Sequence, residues 1–265
     1  MNKSKLHFLF LLALFSFTSS FASVESSPLV VTIPKSGSHL VGKAISLIPR
    51  VSFSGFEHTI IMTETEMSPS PEQLIIFLVR DLRDVFVSYV YHLDNIFFNH
   101  EVADSIKLLS KTEKSQDVLT NIIHTWAELN FSQKLTAILE HNDLSPVDFK
   151  NYIEPCIDIA QSHNTIIIRF ENLVGPKGKG NKLSQINEVT KIVNAYGKDL
   201  SRAQIIRICD RLFGIDDLVS KWNNTFRSGQ IGSWETHFEE NHKETFKTRY
   251  NDFLFYFGYV DTPDW

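Results

Sequence analysis

An unbroken apolar run, Pro28-Leu29-Val30-Val31-Thr32-Ile33, stops abruptly at Pro34-Lys35-Ser36-Gly37-Ser38. Its β-branched residues favour an extended chain, and the absence of alternation means that both faces must be covered. That is the pattern of an inner strand of a parallel sheet. A helical stretch, His39 to Ile48, follows, with Leu40, Ala44, Leu47 and Ile48 on one face and Pro49 closing it. The combination recurs. Leu74-Ile75-Ile76-Phe77-Leu78-Val79 is a second buried strand, and the charged turn Arg80-Asp81-Leu82-Arg83-Asp84 leads from it into a helix carrying Val85, Val87, Ser88, Tyr89 and Tyr91. Thr165-Ile166-Ile167-Ile168-Arg169-Phe170 is a third.

Residues 116–142 read as one helix, with Val118, Leu119, Ile122, Ile123, Trp126, Leu129 and Leu135 as its apolar face. Further helices are expected at Ser184 to Tyr196 and Arg202 to Leu212, and a short strand at Thr59–Thr63. Trp222 to Trp265 is rich in glycine, aromatics and charge and gives no clear element. Buried strands alternating with helices build βαβ units, so the expected fold is α/β, a three-layer α/β/α arrangement around a central parallel sheet. Ligands of such sheets bind beyond the carboxyl ends of the strands. Polar clusters stand at three of those ends, residues 34–39, 80–84 and 170–173.

The chain has 265 residues and a net charge of −5. Its start reads as a targeting segment: Lys3 and Lys5, an apolar stretch from Phe8 to Phe17, then a small-residue exit with Ser20 and Ala22 placed for cleavage after Ala22. Residues 1–22 are therefore read as a signal peptide and 23–265 as one domain, which makes the protein exported (secreted, periplasmic or in the lumen of the secretory pathway). The alternatives are a membrane anchor over residues 8–22 and a cytosolic protein with an apolar start. Residues 1–22 carry two lysines and no carboxylate, so the remainder carries −7. A mildly acidic chain argues against nucleic acid as a partner, and any anion site must be built locally. Cys156 and Cys209 either pair in an oxidising compartment or remain two buried thiols.

A strand that breaks into a Lys/Ser/Gly loop before a helix makes an anion cradle from loop N–H groups, the helix N-terminus and a lysine. Two registers compete. Gly37 to Ala44 matches the G-x-x-x-x-G-K part of a nucleotide P-loop with Lys43 as its lysine, but Ala44 stands where a hydroxyl should hold Mg²⁺. Pro34-Lys35-Ser36-Gly37-Ser38 puts Lys35 in the loop itself. An ordinary βα turn with a surface lysine is the plain alternative to both. Arg80, directly after a strand, offers a bidentate fork for phosphate, and Ser88 a hydroxyl eight residues on. Arg83 lies between them, and Asp81 and Asp84 read as ion-pair partners of the two arginines in a solvated turn or as helix N-terminal charges.

Taken together, four segments resemble the sulfotransferase family, which uses 3′-phosphoadenosine 5′-phosphosulfate (PAPS) as donor. Ile33-Pro34-Lys35-Ser36-Gly37-Ser38 is similar to the family's 5′-phosphosulfate loop, P-K-S-G-T. Val79 to Val85 with Ser88-Tyr89 resembles its 3′-phosphate segment. Arg169-Phe170-Glu171-Asn172-Leu173 resembles R-Y-E-D-L, and Phe226 to Trp234 with Phe238 resembles the late R-K-G-x-x-G-D-W motif. The resemblance implies a P-loop NTPase-like fold and a set of roles. Lys35 would neutralise the sulfate–phosphate bridge. Ser36, Gly37, Ser38 and His39 would lie along the 5′-phosphate. Arg80, Ser88, Arg227, Ser228 and Gly229 would lie along the 3′-phosphate, and Phe170 would take the place of a tyrosine that contacts adenine. The chain departs from the pattern at His39-Leu40 (in place of a base-stacking aromatic), at Ser228 (Lys in the family) and at Ser233 (Asp in the family).

Sulfuryl transfer, like phosphoryl transfer, needs in-line positioning and preorganised positive charge more than covalent chemistry. Lys35 and the helix N-terminus supply that without a metal, and no His/Cys cluster has metal spacing. A hydroxyl acceptor also needs a base. The family places a His or Glu between the first two motifs, and here His58 and Glu64 are the candidates, with Glu57 and Glu66 nearby. His92 reads as structural. The expected function is thus a PAPS-dependent sulfotransferase acting on a hydroxyl or amine of a small-molecule, glycan, lipid or peptide acceptor. The alternatives are a P-loop nucleotide kinase or NTPase, or a non-catalytic nucleotide-binding relative. A membrane contact is expected only if the N-terminal segment is retained.

Overall fold

The computed structural model describes residues 27–59, 72–101, 104–105, 115–146, 148–162, 164–214 and 227–265. Among the described residues the strands are β1 (Leu29–Thr32), β2 (Glu57–His58), β3 (Ile75–Val79) and β4 (Thr165–Arg169). They form one parallel sheet in the order β2-β1-β3-β4. Leu29 pairs with Ile75 and Thr32 with Leu78 across β1 and β3, while Ile75 pairs with Thr165 and Val79 with Arg169 across β3 and β4. The chain passes from β1 to the edge at β2, then returns to the other side at β3. The order therefore reverses at β1, and the crevice beyond β1 and β3 is where such sheets bind ligands.

The helices are α1 (Ser38–Ser46), α2 (Leu82–Asn99), α3 (Gln116–Glu128), α4 (Phe131–Glu140), the short α5 (Lys150–Ile153), α6 (Cys156–Gln161) and α7 (Phe170–Leu173), then α8 (Lys182–Ala195), α9 (Arg202–Leu212) and α10 (Glu240–Tyr256). Successive strand residues face opposite sides. Val31, Ile75, Phe77 and Val79 pack with α2, α3, α4, α6 and α10. Val30, Ile76, Leu78 and Ile168 pack with α1, α8 and α9. Helices on both faces of a parallel sheet give the expected three layers, and they explain why β3 is buried at every position.

Several local expectations are corrected. The helix expected over 116–142 is two helices, broken at Leu129-Asn130. Asn130 caps α4 by accepting from the Gln133 N–H, and Gln133 accepts in return from the Asn130 N–H. This reciprocal capping box starts a new helix where the apolar pattern runs on. Val118, placed on the apolar face, is 43% exposed. On α1 the buried stripe is Val41, Ala44 and Ile45, continued by Ile48 just beyond its end, whereas Leu40 and Leu47 are half-buried. The edge strand is Glu57–His58, earlier than expected, and residues 60–63 lie outside the described residues. The C-terminal stretch contains the 17-residue helix α10, whose Phe246, Tyr250, Phe253 and Leu254 follow helical spacing. Cys156 lies in the core on one face of the sheet and Cys209 in the core on the other, so they stay two buried thiols. Among the described residues no helix is long and apolar enough to cross a membrane; residues 1–22 lie outside them.

Candidate active site

Lys35 follows β1 and Arg80 follows β3, so neighbouring strands deliver both side chains to the crevice. The Lys35 loop is held in shape by its own polar groups. The Ser36 N–H and hydroxyl both donate to the Ile33 carbonyl, at 3.1 and 2.7 Å. The Ser38 hydroxyl lies 2.8 Å from that of Thr32. Ser36 thus shapes the loop with its side chain. Lys35 and Gly37 both adopt left-handed backbone, with φ of 67° and 107°. Gly37 caps α1, and a Cβ there would sit 2.6 Å from the Phe170 ring, so only glycine fits. The nine-residue α1 directs its first-turn N–H groups out of the same end.

Arg80 joins this loop to a distant one. Its Nη1 donates to the Lys35 carbonyl at 3.2 Å and its Nη2 to the Gln230 carbonyl at 3.0 Å. The guanidinium lies 4.2 Å from the centroid of Phe170. Phe170 is therefore wedged between Gly37 and Arg80 and is 4% exposed. Asp84, fully buried, accepts from the N–H groups of Gly232 and Trp234, both at 2.9 Å. It also lies 3.6 Å from Arg80 Nη2. Gly232 has φ 77°, which turns the loop so that its N–H reaches Asp84. The Ile231 N–H donates to the Gly178 carbonyl at 3.2 Å. Together these bonds hold residues 227–234 against the start of α2. Arg227 lies on this loop over the Tyr91 ring, 4.2 Å from its centroid, with Ser228 and Gly229 beside it. Ser88 is the one half-buried position between Leu82 and Val90.

The charged turn 80–84 is buried, not a solvated surface turn. Asp81 caps α2 and binds Arg83 through both carboxylate oxygens, the closest contact 2.7 Å. Arg83 is stacked between Trp234 and Trp265, 3.9 and 4.4 Å from their centroids. It braces the site and is not one of its anion-facing cations. The Asp81 N–H donates to Glu171, whose second oxygen accepts from the Tyr259 hydroxyl. Glu171 was legible only as part of a motif; its bridging role needs the fold.

On the other side of Lys35, His58 ends β2, its Nδ1 3.1 Å from the Thr32 hydroxyl. His39 meets Phe56 edge-on with centroids 5.6 Å apart, and Phe56 meets His58 at 5.5 Å. Glu64 lies outside the described residues. Lys43 points away from the loop: it is buried and donates to the Gly214 carbonyl at 3.0 Å.

Electrostatics marks the crevice as an anion site. Burial, then the charges of Arg80 and Arg227, lower the Lys35 ammonium to about 8. Burial lowers the His39 imidazole to about 4, helped by Lys35 and His58. Three cations are thus held close enough to repel one another. Arg80 Nε, although buried, has no hydrogen-bond partner among the described residues. Mutually repelling, partly desolvated cations beside a helix N-terminus suit a ligand with several phosphate charges. Among the described residues, no group of three or more His, Cys, Asp or Glu gathers in a way that could hold a metal ion.

Fold and site together define an α/β protein of the nucleotide-anion-binding kind, and sequence and structure comparisons narrow this to a family. The sulfotransferase domain model matches residues 67–254, well over half of the chain; the chain belongs to the sulfotransferase family. The matched span takes in Arg80, Ser88, Phe170 and Arg227 to Gly229, and the Lys35 loop precedes it. Mouse sulfotransferase SULT7A1 complexed with PAP is similar in structure, with a TM-score of 0.53, 16% identity, and 87% of this chain and 84% of that one covered. Retinol dehydratase in complex with androsterone and inactive cofactor PAP is similar with a TM-score of 0.50 and 12% identity, covering 87% and 83%. No curated protein matches the sequence. At such identities the likeness speaks for the fold, which is the P-loop NTPase-like α/β fold of the sulfotransferases.

Proposed function

We propose that this protein is an active sulfotransferase that takes the sulfuryl group of PAPS to a hydroxyl or amine of an acceptor. One observation carries the reading: Arg80 hydrogen-bonds the Lys35 loop and the 227–234 loop at once, so the two segments that the family resemblance assigns to the 5′- and 3′-phosphates are built as a single unit. The residues present fit a bis-phosphorylated nucleotide. Lys35, the α1 N-terminus, Ser38 and the Gly37 and His39 backbone would hold its 5′ end. Arg80, Ser88, Arg227 and the Ser228-Gly229 backbone would hold its 3′ end. Phe170 supports the adenine side of the site through its packing under Arg80.

PAPS supplies an activated sulfuryl group whose leaving oxygen gains charge as it departs. Lys35 meets that charge as an ammonium poised near neutrality, in a site where burial makes it worth more than in water. His58 takes the acceptor proton at an imidazole nitrogen, with the Thr32 hydroxyl and carbonyl fixing its ring. The Thr32–Ser38 bond ties that histidine to the phosphate loop. The position of Lys43, bound to Gly214, is against the register in which it would serve a triphosphate.

Calorimetry with 3′-phosphoadenosine 5′-phosphate (PAP) and transfer from labelled PAPS to a panel of hydroxyl and amine acceptors test the reading. Binding and transfer, both lost in Lys35→Ala, are expected. A protein that binds PAP yet transfers to no acceptor would be a non-catalytic relative. We also propose export through residues 1–22, which mass spectrometry of the mature N-terminus checks; an intact N-terminus with Phe8 to Phe17 retained would point to an anchor instead.

A further inference from the structure

Arg227 is an exposed residue at the start of the 227–234 loop, yet its guanidinium is supported. It lies over the Tyr91 ring, 4.2 Å from the centroid, and its Nη2 donates to the Ser233 hydroxyl at 3.4 Å. Tyr91 comes three residues after Ser88 on α2, so the two share a face of the helix. The Tyr91 ring is held in turn from its hydroxyl end. His237 Nδ1 lies 2.7 Å from the Ser233 carbonyl, which can only accept, so Nδ1 carries the proton. Nε2 is then an acceptor, and the Tyr91 hydroxyl, 3.0 Å away, donates to it. Phe131, the first residue of α4, packs on both rings, its centroid 5.0 Å from that of Tyr91 and 4.6 Å from that of His237. The contacts close a circuit: Arg227 to Tyr91, Tyr91 to His237, His237 to Ser233, and Ser233 back to Arg227. Ser233, one of the departures from the family pattern, enters it twice, through its carbonyl and through its hydroxyl.

An exposed arginine samples many rotamers, and fixing it on a ligand costs affinity. A ring face that holds it beforehand removes part of that cost. Unlike a carboxylate, the ring leaves the positive charge unneutralised for a phosphate. A phenol that donates its proton also has a more electron-rich face, so the fixed tautomer of His237 strengthens the platform as well as orienting it. We propose that Tyr91 and His237 are positioning residues that hold Arg227 for the 3′-phosphate of the nucleotide, Tyr91 as the platform and His237 through the Tyr91 hydroxyl. The proposal rests on the sulfotransferase reading, which puts Arg227 at that phosphate.

The test compares two nucleotides by calorimetry on the full chain: PAP, and adenosine 5′-monophosphate (AMP), which lacks the 3′-phosphate. The wild-type protein should bind PAP much more tightly than AMP. Tyr91→Leu should lower PAP affinity about tenfold, and Tyr91→Phe or His237→Leu about fourfold, each leaving AMP affinity within about 1.5-fold. His237→Gln, whose amide oxygen can accept in place of Nε2, should recover most of the loss. Tyr91→Phe and His237→Leu combined should cost no more than either alone, because both remove the same bond. In the transfer reaction the loss should fall on KM for PAPS and not on kcat. Equal losses for PAP and AMP, additive losses in the double variant, a His237→Gln as weak as His237→Leu, or PAP affinity unchanged in Tyr91→Leu would each overturn the proposal. Should His237→Leu fail to fold, Tyr91→Phe and His237→Gln still decide it through the ratio of PAP to AMP affinity. A wild-type protein that binds PAP no better than AMP would instead sink the sulfotransferase reading, and this proposal with it.

Discussion

The guanidinium of Arg80 is bonded to the backbone of Lys35, not to its side chain: Nη1 donates to the Lys35 carbonyl at 3.2 Å. Two cations adjacent in space are thus fastened by a neutral contact that tolerates their repulsion. The same arginine reaches Gln230, so one side chain sets the distance between two halves of an anion site. Arg80→Lys keeps the charge but has no planar fork, and should weaken PAP binding by about 100-fold, with folding little changed. Calorimetry checks this; a loss below about threefold would show that the bridge is dispensable.

Lys35 gives the site a pH dependence of defined sign. Its free-state value of about 8 lies below the ordinary lysine value because burial and two arginines oppose the charge. A bound polyanion removes part of that opposition and raises it. PAP binding should therefore take up protons between about pH 8 and 10, and affinity should fall as pH rises through that window. Calorimetry in buffers of different ionisation enthalpy measures the uptake, which should vanish in Lys35→Met. Proton release in the same window would contradict the assignment.

Asp84 is the buried acceptor for two N–H groups of the 227–234 loop. Asp84→Ala strands both donors and leaves Arg80 without its nearest carboxylate. We expect a loss of roughly 2–4 kcal/mol in unfolding free energy and a still larger loss of PAP affinity. Asp84→Asn should lose less of each. Denaturant unfolding and calorimetry separate the two effects.

Gly37 and Phe170 should behave as a coupled pair. Gly37→Ala meets the Phe170 ring and a left-handed backbone, and should cost about 2–4 kcal/mol. Phe170→Leu in the same chain should recover the steric part but not the backbone part, so the two changes will not add. Additive costs would mean that the ring is not the obstacle.

Lys43 serves as the control for register. It donates to the Gly214 carbonyl from inside α1. Lys43→Met keeps the buried stem and should leave PAP affinity within about twofold while lowering stability by about 1–2 kcal/mol. A large loss of nucleotide binding would revive the triphosphate reading.

The sheet and the three polar clusters were legible because each rests on a local signal: β3 has no alternation, and Lys35 and Arg80 each follow a strand directly. What escaped was either a local signal masked by the surrounding pattern or a contact with a partner remote in sequence. The break at Asn130 lies in a capping box beneath a continuous apolar stripe. Helix α10 begins in Glu-Asn-His-Lys-Glu-Thr, residues that reveal nothing apolar until Phe246. Arg83 shares the charged turn with Arg80, but Asp81 and two tryptophans, one 182 positions away, claim it.

The sheet lies between the two cysteines, and that has a consequence for how the chain matures. No cross-link between Cys156 and Cys209 is geometrically open to the folded protein, and burial raises both thiols above their ordinary value. Folding therefore makes no call on an oxidant or a disulfide isomerase. The melting temperature should be the same with and without reductant, and the protein can be produced in a reducing cytoplasm without forfeiting its native form.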